Sequence, residues 1–218
     1  MAEPLTILFD SDGVIVHSEL PVFEINQKIF LGLGIPYTKD DYVEHTFRTA
    51  LGSSGWLQKN GYDLDVAKQF TDIRNEQWKA ALKSADLIEP SASSVLSALA
   101  LRHQLCVVTN TGREMFDLIY KDSPLRDVFK IVVYREDYEN AKPAPDAYLC
   151  ALEKVNTTPK QAIAVEDSPR GIEAAQQAGL RVIGIVNPDF DTLDISRADY
   201  RVESLEELPE LISNLVEM

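Results

Sequence analysis

Short apolar runs alternate with longer periodic segments along most of this chain. The runs are almost entirely apolar and are bounded by polar residues; they cover Leu5–Phe9, Leu105–Val108, Ile131–Val133, Ala162–Val165 and Val182–Val186. Their length and their content of β-branched residues predict strands rather than helices. Because both faces of such strands are apolar, we expect a parallel sheet that is covered by helices on both sides.

The segments between these strands carry apolar residues at helical spacing. Helices are predicted over Ser91–Leu101, Asp146–Val155, Pro169–Ala178 and Leu205–Val216. Pro145 precedes the second of them and Gly179 follows the third, and these are residue types that helix ends prefer. Since strands and helices alternate, the pattern indicates an α/β fold with a doubly wound parallel sheet.

One stretch, from about Ser18 to Ser84, breaks this alternation because it contains only helical patterns. Its pieces are Pro21–Leu33, a capped helix start at Thr38–Asp41 and a long helix over Leu64–Leu82, with breaks expected at Gly52–Gly55 and Asn60–Gly61. An all-helical block inserted after the first strand suggests a separate small domain. We therefore predict that residues 1–17 and 85–218 form an α/β core and that residues 18–84 form a helical cap.

The composition excludes several classes of partner. Among 218 residues, 21 Lys and Arg stand against 35 Asp and Glu, which gives a net charge of −14 and a pI near 4.6. An acidic protein without a basic cluster repels phosphate backbones and anionic lipids, so we expect no nucleic-acid and no membrane partner. No apolar run approaches the roughly 20 residues that span a bilayer, and the first residues lack the basic segment of a secretory signal.

The two cysteines bear on the compartment. Cys106 and Cys150 both lie within apolar periodic segments, which is typical of reduced thiols in a core rather than of a disulfide. Reduced thiols suit a reducing compartment. Together with the charge, they predict a cytoplasmic protein, which we expect to be a monomer or a weak homodimer.

Polar residues gather at the ends of the predicted strands. They are Asp10, Ser11 and Asp12 after the first strand, Thr109 and Asn110 after the second, Lys142 in the loop after the third, and Glu166 and Asp167 after the fourth. In a doubly wound sheet these ends meet at one edge, where ligands bind. Carboxylates that converge there repel one another, and a hard cation such as Mg²⁺ removes the repulsion. Mg²⁺ beside a lysine and a threonine indicates a site that handles phosphate.

Four sequence motifs carry a family resemblance. They read Phe9-Asp10-Ser11-Asp12-Gly13-Val14, Val108-Thr109-Asn110, Lys142-Pro143-Ala144-Pro145-Asp146 and Val165-Glu166-Asp167-Ser168. In this order and spacing, the chain resembles the haloacid dehalogenase superfamily from the first strand to about Val186, in the helical-cap subgroup that includes phosphoglycolate phosphatase and β-phosphoglucomutase. The resemblance implies a Rossmann-like core and a Mg²⁺-dependent enzyme.

The resemblance also implies roles for the carboxylates. The residue matching Asp10 attacks phosphorus and forms an aspartyl-phosphate, and the residue matching Asp12 protonates the leaving oxygen and then activates water. Mg²⁺ would be bound by the side chains of Asp10 and Asp167 and by the backbone carbonyl of Asp12. Glu166 would be a direct ligand of the cation or would act one step removed from it.

By the same resemblance, other residues would hold the substrate. Thr109 and the backbone amides of three residues would bind the phosphoryl oxygens; the three are Ser11, Asp12 and Asn110. Lys142 would neutralise the charge of the nucleophile and of the phosphate, where preorganised electrostatics matter most.

The chain departs from the family pattern at two positions near the first motif. Position 11 is usually a larger apolar residue and here is Ser11, and His17 stands where Asp or Thr is commoner. In the helical cap, we expect Arg48 to contact the distal part of the substrate and His45 to lie on a helix surface.

These observations predict a Mg²⁺-dependent phosphatase that hydrolyses a small phosphorylated metabolite, such as a sugar phosphate or a phosphoglycolate-like compound, through an aspartyl-phosphate. Dehalogenases of the family lack an aspartate at the position of Asp12, because their leaving group needs no proton. The alternative is a sugar-phosphate mutase of the β-phosphoglucomutase type, but those relatives carry a cap histidine shortly after the first motif and Glu19–Glu24 contains none. A non-catalytic binding module is a further alternative, against which Asp10, Lys142 and Asp167 argue.

Overall fold

The computed structural model describes residues 4–49 and 51–217. Within these residues, six strands form one parallel sheet in the order β3-β2-β1-β4-β5-β6. The strands are β1 (Thr6–Phe9), β2 (Gln104–Val108), β3 (Ile131–Val133), β4 (Ala162–Glu166), β5 (Arg181–Ile185) and β6 (Tyr200–Val202). The predicted doubly wound parallel sheet is therefore confirmed.

Strand β1 lies in the middle of the sheet, and its register determines where the polar residues meet. Phe9 is opposite Val107 on β2 and opposite Val165 on β4. The residues that follow these positions leave the sheet at the same carboxyl edge. Asp10 is the first of them, and its backbone N–H donates a hydrogen bond to the Val165 carbonyl at 2.9 Å.

The sequence pattern does not predict the sixth strand, β6. This strand has three residues, pairs only with β5 in the sheet order, and exposes Arg201 while it buries Val202. A short edge strand with one face in solvent leaves no apolar run in the sequence. The expectation of five strands is therefore wrong by one.

The described residues also form α-helices. They are α1 (Glu19–Gly32), α2 (Lys39–Val43), α3 (Gly52–Lys59), α4 (Leu64–Ala81), α5 (Ala92–Ala100), α6 (Arg113–Ile119), α7 (Asp146–Lys154), α8 (Pro169–Gln177) and α9 (Leu208–Glu217). Phe9 packs in one apolar core with α5, α6 and α9, whereas Leu8 packs in a second core with α7 and α8. Both faces of the sheet are thus covered.

None of the helices found in residues 4–49 and 51–217 is long and apolar enough to cross a bilayer.

The chain divides into two compact units. One unit is Ser18–Asp86, and the other consists of the flanking segments, which end at His17 and resume at Leu87. The first contains helices α1 to α4 and is called the helical unit below; the second contains the whole sheet and is called the α/β unit.

The helical unit contains a helix where the sequence suggests a break. Gly52–Gly55 reads as a loop, but helix α3 begins at Gly52 and continues to Lys59. Ser53 and Leu57 of this helix are buried. Each glycine costs a helix up to about 1 kcal/mol, and we attribute the helix to the packing of its buried face, which outweighs this propensity.

The sequence predicts that His45 lies on a helix surface, and this prediction is wrong, because His45 is fully buried. It lies in a π-helical turn, Glu44–Arg48, where the period of 3.6 residues does not apply. Its ring hydrogen-bonds with the Tyr37 hydroxyl and lies among the aromatic side chains of the unit. The ordinary helical period therefore assigns this residue to the wrong face.

Candidate active site

Asp10 leaves the end of β1 and enters a buried, charged environment. The Lys142 ammonium donates to Asp10 Oδ1 at 2.8 Å. Burial raises the pKa of Asp10 to about 7; the positive charge of Lys142 opposes the rise, and the nearby Glu166 carboxylate adds to it. Any additional positive charge near Asp10 therefore favours the ionised form of its carboxyl group.

Lys142 links three strands of the sheet through its ammonium group. Besides Asp10, this group donates to Glu166 Oε1 at 2.6 Å and to the Val108 carbonyl at 2.8 Å, and the residue is only 3% exposed. Burial alone would lower the pKa of Lys142, but the two carboxylates outweigh it and raise the pKa above its ordinary value. The lysine is therefore a fixed positive charge at the carboxyl edge.

Glu166 is fully buried at the end of β4, and Tyr148 of helix α7 shares its Oε1 atom with Lys142. The Tyr148 hydroxyl donates to Glu166 Oε1 at 2.5 Å. Burial, together with the negative charge of Glu166, raises the pKa of Tyr148 well above its ordinary value, so the hydroxyl keeps its proton. A Cβ atom on Gly171 would lie 1.9 Å from Glu166 Oε2, so this position requires glycine.

Asp167 follows directly in the chain and is also buried. Its Oδ2 atom accepts a hydrogen bond from Asn187 Nδ2 at 2.7 Å. The backbone of Gly13 lies close to the same oxygen, since a Cβ atom on Gly13 would be 1.9 Å from Asp167 Oδ2. Gly13 also has a φ of +82°, which glycine adopts without strain.

Three carboxylates of this edge are close enough to share one cation. Asp10, Glu166 and Asp167 each offer an oxygen atom, and these atoms lie within 4.8 Å of one another. The donors are all carboxylate oxygens, which suit a hard divalent cation such as Mg²⁺. The residues present therefore fit the cation that the motifs imply.

The side chain of Asp12 has different neighbours. Its Oδ2 atom accepts hydrogen bonds from the Thr111 hydroxyl at 2.7 Å and from the Thr109 hydroxyl at 3.3 Å. The expectation that four carboxylates converge thus holds for the three that share the acidic cluster, while the fourth meets the threonines after β2. Its backbone carbonyl remains the predicted cation ligand.

Asn110 and Ser11 use their side chains for support. Asn110 Oδ1 accepts hydrogen bonds from the Tyr138 hydroxyl at 2.7 Å and from the Lys142 backbone N–H at 3.4 Å, which ties the two loops together. The Ser11 hydroxyl lies 3.0 Å from that of Tyr120, and both residues are buried. The predicted contribution of Ser11 and Asn110 to phosphate binding rests on their backbone amides.

Arg48 and His17 are two further positions that the sequence singles out, Arg48 as a proposed substrate contact and His17 as a departure from the family pattern. Arg48 belongs to the helical unit, where its side chain is 61% exposed and its Nη1 atom is 3.7 Å from Glu44 Oε2. His17 belongs to the α/β unit, and its Nε2 atom is 2.5 Å from Glu89 Oε2. The expected role of Arg48 in substrate binding remains a prediction.

Sequence reasoning does not find three residues that support these carboxylates: Tyr148, Asn187 and Thr111. Tyr148 looks like a core residue because it shares the apolar face of α7 with Ala147 and Ala151. Asn187 follows an apolar strand, as a turn residue would. For Thr111, the available signal is a second threonine two positions after Thr109 in the loop that follows β2.

The fold and the site together define an α/β enzyme with an acidic centre at the carboxyl edge of its sheet. A family model for haloacid dehalogenase-like hydrolases matches residues 7–185. The chain therefore belongs to the haloacid dehalogenase-like hydrolases, and the predicted membership is confirmed.

Curated relatives cover most of this chain. It is 28% identical over 192 residues to a phosphorylated carbohydrates phosphatase of Thermotoga maritima, covering 83% of this chain and 85% of that protein. It is 29% identical over 209 residues to the validoxylamine A 7′-phosphate phosphatase of Streptomyces hygroscopicus subsp. limoneus, covering 92% and 94%.

Two solved structures share the fold of this chain. A β-phosphoglucomutase from Clostridium difficile matches with a TM-score of 0.82 at 18% identity, covering 100% of this chain and 98% of that one. CbbY from Rhodobacter sphaeroides, solved in complex with phosphate, matches with a TM-score of 0.78 at 24% identity, covering 95% and 96%. At these identities the likeness shows the fold alone.

Proposed function

We propose that this protein is a Mg²⁺-dependent phosphatase that hydrolyses a small phosphorylated metabolite, most simply a phosphorylated sugar, through an aspartyl-phosphate on Asp10. One observation carries the proposal: the buried Asp10 carboxylate is held by Lys142 at 2.8 Å and lies with Glu166 and Asp167 in one cation-sized cluster. A nucleophile and a positive charge for phosphoryl oxygens are thus present at one point.

In this proposal Asp10 attacks phosphorus, and the bond between phosphorus and the leaving oxygen breaks. Lys142 keeps the attacking carboxylate in one orientation and offsets negative charge as the phosphoryl group approaches. The Thr109 hydroxyl and the backbone amides of Ser11, Asp12 and Asn110 are the donors that we assign to the phosphoryl oxygens.

Asp12 is the proposed general acid and base. Its carboxyl group gives a proton to the leaving oxygen, and the resulting carboxylate then takes a proton from the water that hydrolyses the aspartyl-phosphate. The Thr111 hydroxyl holds one oxygen of this group at 2.7 Å, which supports a defined position for the transfer.

We assign Mg²⁺ to the side chains of Asp10 and Asp167 and the backbone carbonyl of Asp12, with Glu166 as a direct ligand or a partner one step removed. When bound, this cation supplies positive charge that offsets the carboxylates and the phosphoryl oxygens. The all-oxygen donor set supports the assignment.

The relatives support the proposed substrate class, because their names describe phosphatases of phosphorylated carbohydrates and of a phosphorylated validoxylamine. We propose residues 1–17 and 85–218 as the catalytic core and residues 18–84 as a cap that contacts the substrate, with Arg48 at its distal part. The net charge of −14 supports a small-molecule substrate rather than nucleic acid or membrane. The unpaired cysteines support a cytoplasmic protein, proposed as a monomer or weak homodimer.

Phosphate release from a panel of substrates tests the proposal. Purified protein with Mg²⁺ is incubated with phosphorylated sugars, phosphoglycolate, nucleotides and an aryl phosphate, alongside Asp10→Asn as the inactive control. We expect release from at least one sugar phosphate, and none with the control or in excess chelator. Interconversion of sugar phosphates without net phosphate release would favour a mutase instead, and no turnover of any compound would contradict both.

A further inference from the structure

We propose that Asn187 is a positioning residue that holds Asp167 in the orientation in which it binds the divalent cation. The inference rests on the proposed function, because it takes Asp167 as a ligand of that cation. Asn187 lies two residues beyond β5, the neighbour of β4 in the sheet, and is only 3% exposed. Its Nδ2 atom donates to Asp167 Oδ2 at 2.7 Å.

The surrounding hydrogen bonds determine the orientation of the Asn187 amide. Its Oδ1 atom accepts from the backbone N–H of Asp189 at 3.0 Å and from that of Phe190 at 3.1 Å. Because a backbone N–H only donates, the oxygen must face this turn and the nitrogen must face Asp167. The turn after β5 therefore presents a donor to the carboxylate.

Gly13 confines the same carboxylate oxygen from another direction. A Cβ atom on Gly13 would lie 1.9 Å from Asp167 Oδ2 and 2.6 Å from Asn187 Nδ2. Asp167 Oδ2 is thus fixed between the turn after β1 and the turn after β5. A side chain held in this way meets a cation without first losing rotational freedom, which is the role of groups that orient metal ligands.

The Asn187 amide is neutral, unlike the ammonium group of Lys142. Lys142 holds Asp10 and Glu166 with a positive charge, which competes with a cation for the same carboxylates. Asn187 orients Asp167 with a hydrogen bond that adds no charge. Asn187 thereby positions Asp167 without adding a positive charge that would compete with a divalent cation.

Cation binding to the metal-free protein tests the inference without measuring catalysis. Asn187→Ser and Asn187→Thr keep a side-chain oxygen for the turn but are too short to donate to Asp167. We expect both to bind Mn²⁺ about 10- to 100-fold more weakly than wild type, the range for loss of a group that orients a metal ligand. Mn²⁺ is followed by electron paramagnetic resonance and Mg²⁺ by calorimetry, and the exposed Asn214→Ser serves as the matched control.

A double-mutant cycle separates positioning from a general structural role. In an Asp167→Asn background, Asn187→Ser should change Mn²⁺ affinity by less than about 2-fold, since its effect passes through Asp167. Equal Mn²⁺ affinity of wild type and both single variants, or an undiminished effect in the Asp167→Asn background, overturns the inference and leaves the proposed function intact. A wild-type protein that binds neither Mn²⁺ nor Mg²⁺ overturns the inference together with the metal dependence of the proposed function.

Discussion

Asp10 and Asp12 are two residues apart in the chain but have different surroundings. Asp10 is 9% exposed and is held by an ammonium group among other carboxylates. Asp12 is half-buried, and neutral hydroxyls of Thr111 and Thr109 donate to its side chain. Ser11, between them, points its hydroxyl to the buried Tyr120.

The difference suits the two aspartates to different chemistry. A carboxylate fixed by a permanent positive charge stays in place and available for attack, as a nucleophile requires. A carboxyl group held in place by neutral hydroxyls can be oriented for proton transfer, as the proposed general acid and base must be. Two carboxyl groups with contrasting environments are a common way for one site to combine such roles.

Replacing the proposed nucleophile should have the largest effect. Asp10→Asn should reduce turnover by on the order of 10⁴-fold or more, because an amide does not displace a leaving group from phosphorus. Phosphate release from the best substrate measures it, with the exposed Asp122→Asn as the matched control. If Asp10→Asn retains more than about one percent of the wild-type activity, Asp10 is not the nucleophile.

Asp12→Asn should have a smaller and leaving-group-dependent effect. With an alkyl phosphate we expect a drop of about 10²–10⁴-fold, the usual contribution of general acid–base catalysis. With an aryl phosphate, whose leaving oxygen hardly needs a proton, formation of the aspartyl-phosphate should proceed while its hydrolysis lacks a base. Mass spectrometry of the acid-quenched variant should then find one added phosphoryl group on the peptide that contains Asp10. An adduct on another peptide would contradict the assigned roles.

The environment of Asp10 also predicts how the metal-free protein responds to pH. Its pKa is raised from 3.8 to about 7 in the folded protein. Between these values the folded protein binds more protons than the unfolded chain, so the stabilising contribution of Asp10 is full below this window and is lost as the pH rises through it. In excess chelator, the free energy of unfolding of wild type should therefore fall relative to that of Asp10→Asn as the pH rises, by at most about 1.4 kcal/mol per pH unit.

Urea unfolding across this pH range provides the measurement, and Mg²⁺ provides the control. Added Mg²⁺ should reduce the fall in wild type, because a cation favours the ionised carboxylate of Asp10. Parallel stability curves for wild type and Asp10→Asn in chelator would show that burial does not disfavour the Asp10 charge.

The parts of the fold that were predictable are those in which local pattern and tertiary packing agree. Strands β1, β2, β4 and β5 are buried almost throughout, and the partly buried edge strand β3 is still wholly apolar, so apolar runs mark all five. Strand β6 exposes Arg201 at the other edge and has no such run. In the helical unit, packing of Leu57 and of the buried His45 outweighs the glycines and the ordinary helical period.

In the candidate site, too, some residues could be predicted from the sequence and others could not. The residues proposed to contact a phosphate or a cation, such as Asp10 and Lys142, occur in recognisable motifs, since their chemistry limits the residue type. Residues that act through another side chain occur as ordinary core or turn residues. Tyr148 reads as one more apolar position of α7, and only the distance of 2.5 Å from its hydroxyl to Glu166 indicates its role.

The smallest expected effect concerns Thr111, whose hydroxyl donates to Asp12 Oδ2 at 2.7 Å. Thr111→Val keeps the shape of the side chain and removes this donor, but it leaves the carboxyl group of Asp12 itself in place. The loss is therefore partial, and we expect turnover of an alkyl phosphate to fall about 10-fold, equivalent to about 1.4 kcal/mol and near the lower end for a hydrogen bond to a charged group.

Three comparisons distinguish positioning of Asp12 from a general structural effect of Thr111→Val. Thr111→Ser keeps the hydroxyl and should restore most of the activity, and the exposed Thr192→Val should leave it unchanged. Formation of the aspartyl-phosphate from an aryl phosphate should be nearly insensitive to Thr111→Val, because that step hardly needs the proton of Asp12. If Thr111→Val slows formation of the aspartyl-phosphate equally with alkyl and aryl substrates, Thr111 does not act through Asp12. The contrast between the two aspartates would then not extend to their supporting residues.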